Sequence, residues 1–250
     1  KNMITRKSIA IQLAGQIRDW DKAFAHWQLV QEKFESAGIL TEFFISTWSR
    51  TGIKNSEYKN ERDEGPFINI DKSFFTRYYI SDLPKTKEFT LSTTKHMVHH
   101  WTKSTLIRMN YELEVKREYD AVMIVRPDLM FKGTAIERCI NMILEKGPST
   151  TLDPRGVYTQ RGSFPKHIKD RIDRADLFSD DMWVFGHRVP MNYFILIEGL
   201  HDNKFISHTN HSHLVDFLHK LNLYNWSLAF NTISIDKNVL TRDETKKAII

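Results

Sequence analysis

Residues 119 to 131, YDAVMIVRPDLMF, constrain the fold more than any other stretch of this chain. Ala121 to Val125 is an unbroken apolar run rich in Val and Ile. A run this short reads as a strand buried on both faces, as in the sheet of an α/β domain. It stops at Arg126-Pro127-Asp128. Pro127 has no amide hydrogen for a sheet ladder, so the strand ends or bulges there. An arginine and an aspartate are thereby delivered together at the carboxyl end of a buried strand, the edge at which open α/β sheets bind ligands. Two readings of the pair stay open from these residues alone: a ligand-facing pair, or a structural ion pair closed on itself.

The chain before this stretch builds toward the same sheet. Ser8 to Ala14 reads as a first strand closed by Gly15. Gln16, Ile17, Arg18 and Asp19 follow, and Ala23, Phe24, Trp27, Val30 and Phe34 then recur at helical spacing. Asp19 or Asp21 is placed to cap that helix. Thr41 to Thr47 is a second strand, ending at Trp48-Ser49-Arg50, so strand, helix and strand form a unit of a parallel sheet. A glycine after the first strand lets backbone approach a ligand closely, and the helix N-terminus beyond it favours phosphate. The bland alternative is a turn glycine and a surface arginine.

Residues 51–70 read as an exposed polar loop, and a short element follows around Phe74 to Ile80. Thr93 to Glu118 is a long helix with Met97, Trp101, Leu106, Met109, Leu113 and Val115 broadly on one face. His96 and His100 on its first turns have the i, i+4 spacing of metal ligands, but lack the glutamate of a zinc-protease motif, and hydrogen-bonded or solvated histidines are the preferred reading. After the central strand, Thr134 to Glu145 reads as a helix and residues 149–176 as a loop. Asp180 and Asp181 immediately precede a strand-like Met-Trp-Val-Phe that Gly186 ends. Two more helices, Pro190 to Leu200 and Leu214 to Leu221, and a last strand, Leu228 to Ile235, complete the expectation.

Composition narrows the function classes. With 250 residues, 41% hydrophobic and 12% aromatic, the chain supports one large domain with a sizeable core. Its single cysteine, Cys139, excludes an internal disulfide framework and a cysteine-based zinc site, which points to a reducing, cytoplasmic setting. No apolar run approaches the roughly 20 residues that span a bilayer, so no integral membrane segment is expected. The net charge of +5 comes from basic residues spread along the chain. With no basic block, nucleic acid is not the expected partner.

Three pieces in this order, IAIQLAGQIRDW, TEFFISTW and YDAVMIVRPDLMF, with SDDMWVFG as a fourth, resemble a family of glycosyltransferase-like proteins of the GT-A fold, found in capsule and lipopolysaccharide loci and in large viruses. The match spans about residues 9 to 200. It implies an α/β, Rossmann-like, mostly parallel sheet flanked by helices. The whole chain would be one GT-A-like domain, with a nucleotide-binding half over about 1–132 and an acceptor-side half over about 133–250. The implied partners are a nucleotide-sugar donor and a glycan acceptor. In such enzymes an Asp-x-Asp triplet ends the central strand and holds Mg²⁺ or Mn²⁺ against the diphosphate. Here the triplet is Arg126-Pro127-Asp128, so the first acid has become a cation.

The resemblance gives the residues roles. Gly15, Gln16 and Arg18 line the nucleotide and phosphate side, with Arg126 and Asp128 at the diphosphate and sugar. Asp128 is the metal ligand the family pattern retains, and Asp180 or Asp181 completes that site or serves as the base that deprotonates an acceptor hydroxyl. Trp183 stacks on a sugar or base, or else belongs to the core. His211 or His213 reaches a phosphate or the metal. Arg126 is also able to supply a fork-shaped donor to phosphate directly, without a metal. A nucleotide-sugar-dependent glycosyltransferase is thus the leading expectation, ahead of a catalytically inert GT-A-like binding module of a longer protein.

Overall fold

The computed structural model describes residues 6–17, 20–52, 64–82, 93–132, 134–147, 151–161, 179–206, 213–228 and 231–234. The first strand, β1 (Ser8–Ala14), is buried along its whole length and lies in the middle of a seven-stranded sheet. On one side of it come β2 (Leu40–Trp48) and β5 (Arg77–Ser81). On the other come β6 (Ala121–Val125), β9 (Ser179–His187), β8 (Gly156–Arg161) and the edge strand β10 (Tyr224–Leu228). Every neighbouring pair is parallel except those made by β9, which runs antiparallel to both β6 and β8. The mostly parallel α/β sheet expected from the sequence is therefore present.

Helices cover both faces. Helices α1 (Trp20–Ser36) and α3 (Ala135–Ile143) pack on the side reached by Ile9, Ile11 and Leu13. Helix α2 (Thr93–Val115), with the short helices α4 (Arg188–Asn192) and α5 (Ile197–Asp202) and then α6 (His213–Lys220), covers the side reached by Ala10 and Ala14. Strand alternation explains the division, since successive side chains point to opposite faces.

One residue breaks that apolar alternation. Gln12, mid-strand in β1, is fully buried and faces α2. Its amide donates to Ser104 Oγ (2.9 Å) and Thr105 Oγ1 (3.1 Å) and accepts from Arg108 Nε (2.7 Å). Arg108 is itself fully buried; it pairs with Glu112 and donates through Nη2 to Asn192 Oδ1 (2.6 Å). Glu112 also accepts from the Tyr119 amide (3.0 Å). The buried face of α2 is consequently Val98, Trp101, Ser104, Thr105, Arg108 and Glu112, whereas Leu113 and Val115 are exposed. The apolar face read from the sequence thus misplaces the helix's carboxyl half, because a buried amide on β1 demands polar partners.

Other boundaries moved too. The ends of the expected 51–70 loop form a small antiparallel pair, β3 (Arg50–Gly52) with β4 (Glu64–Phe67). Past the central turn, β7 (Leu129–Lys132) pairs antiparallel with β11 (Asn231–Ser234). The expected last strand, Leu228 to Ile235, corresponds to β11, while β10 comes before it and meets it only at Leu228. Strand β8, inside the expected 149–176 loop, has no apolar run of its own and is held by its neighbours.

Replacing Arg108 with Ala strands the Glu112 carboxylate and the Gln12 carbonyl in the core. Loss of one partner of a buried pair costs about 3–5 kcal/mol, so equilibrium urea unfolding of Arg108→Ala is expected to show a loss of that order, with the denaturant slope unchanged.

Candidate functional site

In a doubly wound sheet the ligand crevice opens at the carboxyl edge where the strand order reverses. Here that point lies between β1 and β6, which share the centre of the sheet and lead to α1 on one side and to the Arg-Pro-Asp turn on the other. The loops after the two strands touch. Gly15 has φ +128°, its N–H donates to Ser46 O (3.0 Å), and a Cβ on it would sit 3.8 Å from Pro127 Cδ. The positive φ, more than the space, is what calls for glycine there.

The segment after β6 is a tight turn. Leu129 N–H donates to Arg126 O (3.1 Å), placing Pro127 and Asp128 at the turn's two central positions. Within it Arg126 grips Asp128 with a two-bond fork, Nε to Oδ1 at 3.0 Å and Nη2 to Oδ2 at 2.6 Å. The Asp128 carboxylate is buried, while 28% of the Arg126 side chain stays exposed at the edge. Helix α1 fastens the turn and the stretch that follows it. Trp27 Nε1–H donates to Pro127 O (2.9 Å), and His26 Nε2 accepts from the Phe131 N–H (3.1 Å). Burial, with help from Lys33, lowers the His26 pKa to about 4, so the ring is neutral and its Nε2 is available as an acceptor.

Strand β9 brings the acidic pair to the same edge. Trp183 pairs with Val125 at the end of β6 and the strands run in opposite directions, so residues 179–182 continue past that end. The register with β8 shifts between Thr159 and Gln160, and Asp180 lies opposite Gln160. Asp180 and Asp181 therefore belong to the strand instead of preceding it, and their backbone lies near the Arg126–Asp128 turn. Trp183 is fully buried and meets Phe131 edge-on at 5.9 Å. That is a correction to its stacking role: no face of this indole is open to a sugar or base. Arg18 and His211 lie outside the described residues. His213, the other late histidine, is buried at the start of α6, its ring 6.1 Å from that of Trp101.

The end of β2 supplies a wall that the sequence reading passed over. Ser46 Oγ and His100 Nδ1 are 2.8 Å apart, and Trp48 stacks parallel on His99 at 5.3 Å and meets His100 edge-on at 4.4 Å. His99 Nδ1 reaches Glu198 Oε1 at 2.6 Å. Burial, then the neighbouring His99 and His96, drive the His100 pKa well below its ordinary value, so this ring is neutral. Of the two readings left open for these histidines, hydrogen-bonded or solvated, His99 and His100 follow the hydrogen-bonded one and pack against Trp48. Four buried side-chain atoms near this edge, Gln16 Nε2, Thr47 Oγ1, Ser81 Oγ and His100 Nε2, have no hydrogen-bond partner among the described residues. They belong to residues at the ends of β1, β2 and β5 and the start of α2. By register Ser46 stands at the end of β2 level with Arg126 just past the end of β6, a correspondence that only the pairing of both strands with β1 reveals.

The side chains expected to share a cation with Asp128, those of Asp180, Asp181 and His211, lie outside the described residues. No three His, Cys, Asp or Glu side chains among the described residues converge on a cation position. Both oxygens of Asp128 are already held by the Arg126 guanidinium, which would lie against any cation bound there. In this structure the Asp128 carboxylate, expected as a metal ligand, is engaged with Arg126.

No protein-family model matches the chain, and no curated protein matches it in sequence. Its structure is similar to a glycosyltransferase involved in glycosylation of the major capsid of PBCV-1, at 9% identity over 97% of this chain and 98% of that one, with a TM-score of 0.44. It is similar also to the inositol-1-phosphate CTP transferase from T. maritima, at 10% identity over 97% and 95% of the two chains, TM-score 0.45. A third similarity is to the galactosyltransferase LgtC, at 11% identity over 88% and 72%, TM-score 0.39. The fold assignment rests on the order and direction of the strands themselves. Among the described residues, no helix is long and apolar enough to cross a membrane.

The neutral His26 makes the turn acid-sensitive. Its folded pKa lies below the unfolded value near 6.5, so its contribution is complete above pH 6.5 and is lost as the pH falls toward 4. His100 adds an effect of the same sign. Urea unfolding at pH 8 and pH 5 is expected to differ by about 2 kcal/mol from His26 alone, at 1.36 kcal/mol per pKa unit. A His26→Gln variant, which keeps an acceptor without a proton equilibrium, should show a flatter profile.

Proposed function

We propose that the carboxyl edge between β1 and β6 receives the diphosphate of a nucleotide sugar, and that the chain transfers the sugar to a hydroxyl of a glycan acceptor. The observation that carries this reading is the Arg126–Asp128 fork at the switch point of the sheet. A diphosphate leaving group needs its growing negative charge met by fixed donors. Asp128, buried and locked in the turn, sets the plane of the guanidinium, and 28% of the Arg126 side chain stays exposed at the edge. The N-terminus of α1, directly after the Gly15 loop, adds the positive end of a 17-residue helix. Gln16, whose buried Nε2 has no hydrogen-bond partner among the described residues, is the further donor assigned to the nucleotide side.

In this reading the acceptor hydroxyl loses its proton to Asp180 or Asp181 as it attacks the anomeric carbon. The bond from that carbon to the diphosphate oxygen breaks, and the departing charge falls on Arg126. A second reading, an inert binding module, has an observation of its own: the one acid kept from the family's triplet is engaged with an arginine. Slow hydrolysis of a nucleotide sugar without acceptor separates the two, since only the enzyme supports it.

The first test is a thermal-shift panel of nucleoside diphosphates and nucleotide sugars with and without Mn²⁺. A ligand that binds only the folded chain raises its stability with concentration. One nucleotide is expected to stabilise the protein equally with and without Mn²⁺. Arg126→Ala should weaken that binding by about 10- to 100-fold, the worth of a charged hydrogen-bonding group. Absence of any shift across the panel defeats the reading. A shift that needs Mn²⁺ and disappears in Asp128→Ala would return the metal to Asp128.

A further inference from the structure

At the far edge of the sheet from β5, strand β10 carries two large aromatic side chains on one face, Tyr224 and Trp226. They are 53% and 40% exposed, high values for rings that burial would stabilise. Their centroids are 5.5 Å apart with 42° between the planes. By register they lie opposite Gly156 and Tyr158 of β8. Gly156 lets them settle there: a Cβ on it would come within 2.8 Å of Tyr224 Cβ and 3.0 Å of Trp226 Nε1. The indole thus lies down against the neighbouring strand, and half of the aromatic pair faces outward.

The border of this shelf is polar but closed. Arg155 stands over the Tyr224 ring, its guanidinium carbon 5.5 Å from the centroid. It is held by Asp153 through two bonds, each of 3.0 Å. The guanidinium and carboxylate neutralise one another, so the shelf offers aromatic faces and hydrogen-bonding edges without net charge. Tyr158 is anchored alongside, its hydroxyl donating to Thr151 O (3.2 Å) and accepting from the Asp153 amide (3.3 Å).

We propose that Tyr224, Trp226 and the Asp153–Arg155 pair form a binding shelf for a neutral oligosaccharide, separate from the edge described above. A pyranose ring has an apolar face of axial C–H groups and a rim of hydroxyls. Two tilted aromatic rings take the first, and a paired carboxylate and guanidinium take the second. An anionic ligand would find the arginine engaged, and a cationic one the aspartate. Strand β10 lies three strands from β6 in the sheet order, roughly 14 Å at the usual strand spacing. Tyr224 also starts its strand at the opposite edge from the Arg126 turn. The shelf is therefore able to hold part of a chain whose reacting end lies elsewhere, and it does so whether or not the donor reading is right.

Affinity electrophoresis tests this directly, with the protein run through native gels containing a soluble dextran, a β-glucan or a mannan, all uncharged. At least one polymer is expected to retard the wild type. Trp226→Ala should weaken the retardation about 10-fold or more, and Trp226→Phe, which keeps a ring, should retain most of it. Arg126→Ala should leave it unchanged, which separates this site from the nucleotide site. The melting temperature of each variant distinguishes loss of binding from loss of fold. The proposal is overturned if no polymer retards the protein, or if a folded Tyr224→Ala/Trp226→Ala variant is retarded as strongly as the wild type. It is overturned equally if sedimentation shows the shelf joining two copies of the chain, with dimerisation lost in Trp226→Ala.

Discussion

A guanidinium buried in the centre of a domain has to be surrounded by acceptors, because stripping its hydration costs several kcal/mol. Arg108 meets that demand with Gln12 on β1, Glu112 on its own helix and Asn192 on α4. Three elements distant in sequence are thereby set relative to one another with hydrogen-bond tolerance. Apolar packing alone tolerates slippage of a helix along a sheet, whereas a fork with three distinct acceptors does not. The consequence reaches the functional edge. With Arg108 seated on Gln12, the first turns of α2 must fall beside Ser46 and Trp48, where His96, His99 and His100 line the wall next to the Gly15 loop.

The opposite face is tied by different means to the same edge. There the core is aliphatic and aromatic, and the polar ties run from α1 to the turn after β6 through Trp27 and His26. The turn holds its own charges in a closed fork. One face thus positions the β2 wall and the other positions the arginine, and the two meet where Gly15 touches Pro127. A carboxylate used to orient an arginine is a different device from one that binds a cation, although both leave positive charge at the end of the same strand.

Much of this was legible along the chain. Strands β1 and β6 appear as unbroken apolar runs with hard stops, Gly15 and Pro127, and their bounds in the structure agree with those stops. The position of Arg126 and Asp128 at a carboxyl edge followed from the same stop. Strands β8 and β10 were not legible, because neither carries a run of aliphatic residues and each depends on pairing with a partner far away in sequence. Helix α2 misled in its carboxyl half: Leu113 and Val115 continue an apolar pattern, but Arg108 and Glu112 take the inside. No local pattern announces that an amide on another strand will recruit them.

What the sequence determined by itself was the identity of the central strands and the chemistry waiting at their ends. Those depend on local hydrophobicity and on backbone limits that proline and glycine impose wherever they occur. The tertiary structure alone decided which ends meet. Strand β9 enters between β6 and β8 in the reverse direction, and this carries Asp180 and Asp181 to the edge where Arg126 ends its strand. The same insertion turns Trp183 inward, away from any ligand. Strand direction is a property of the whole sheet, settled by long-range pairing and by the packing of both faces, and no residue along the strand encodes it.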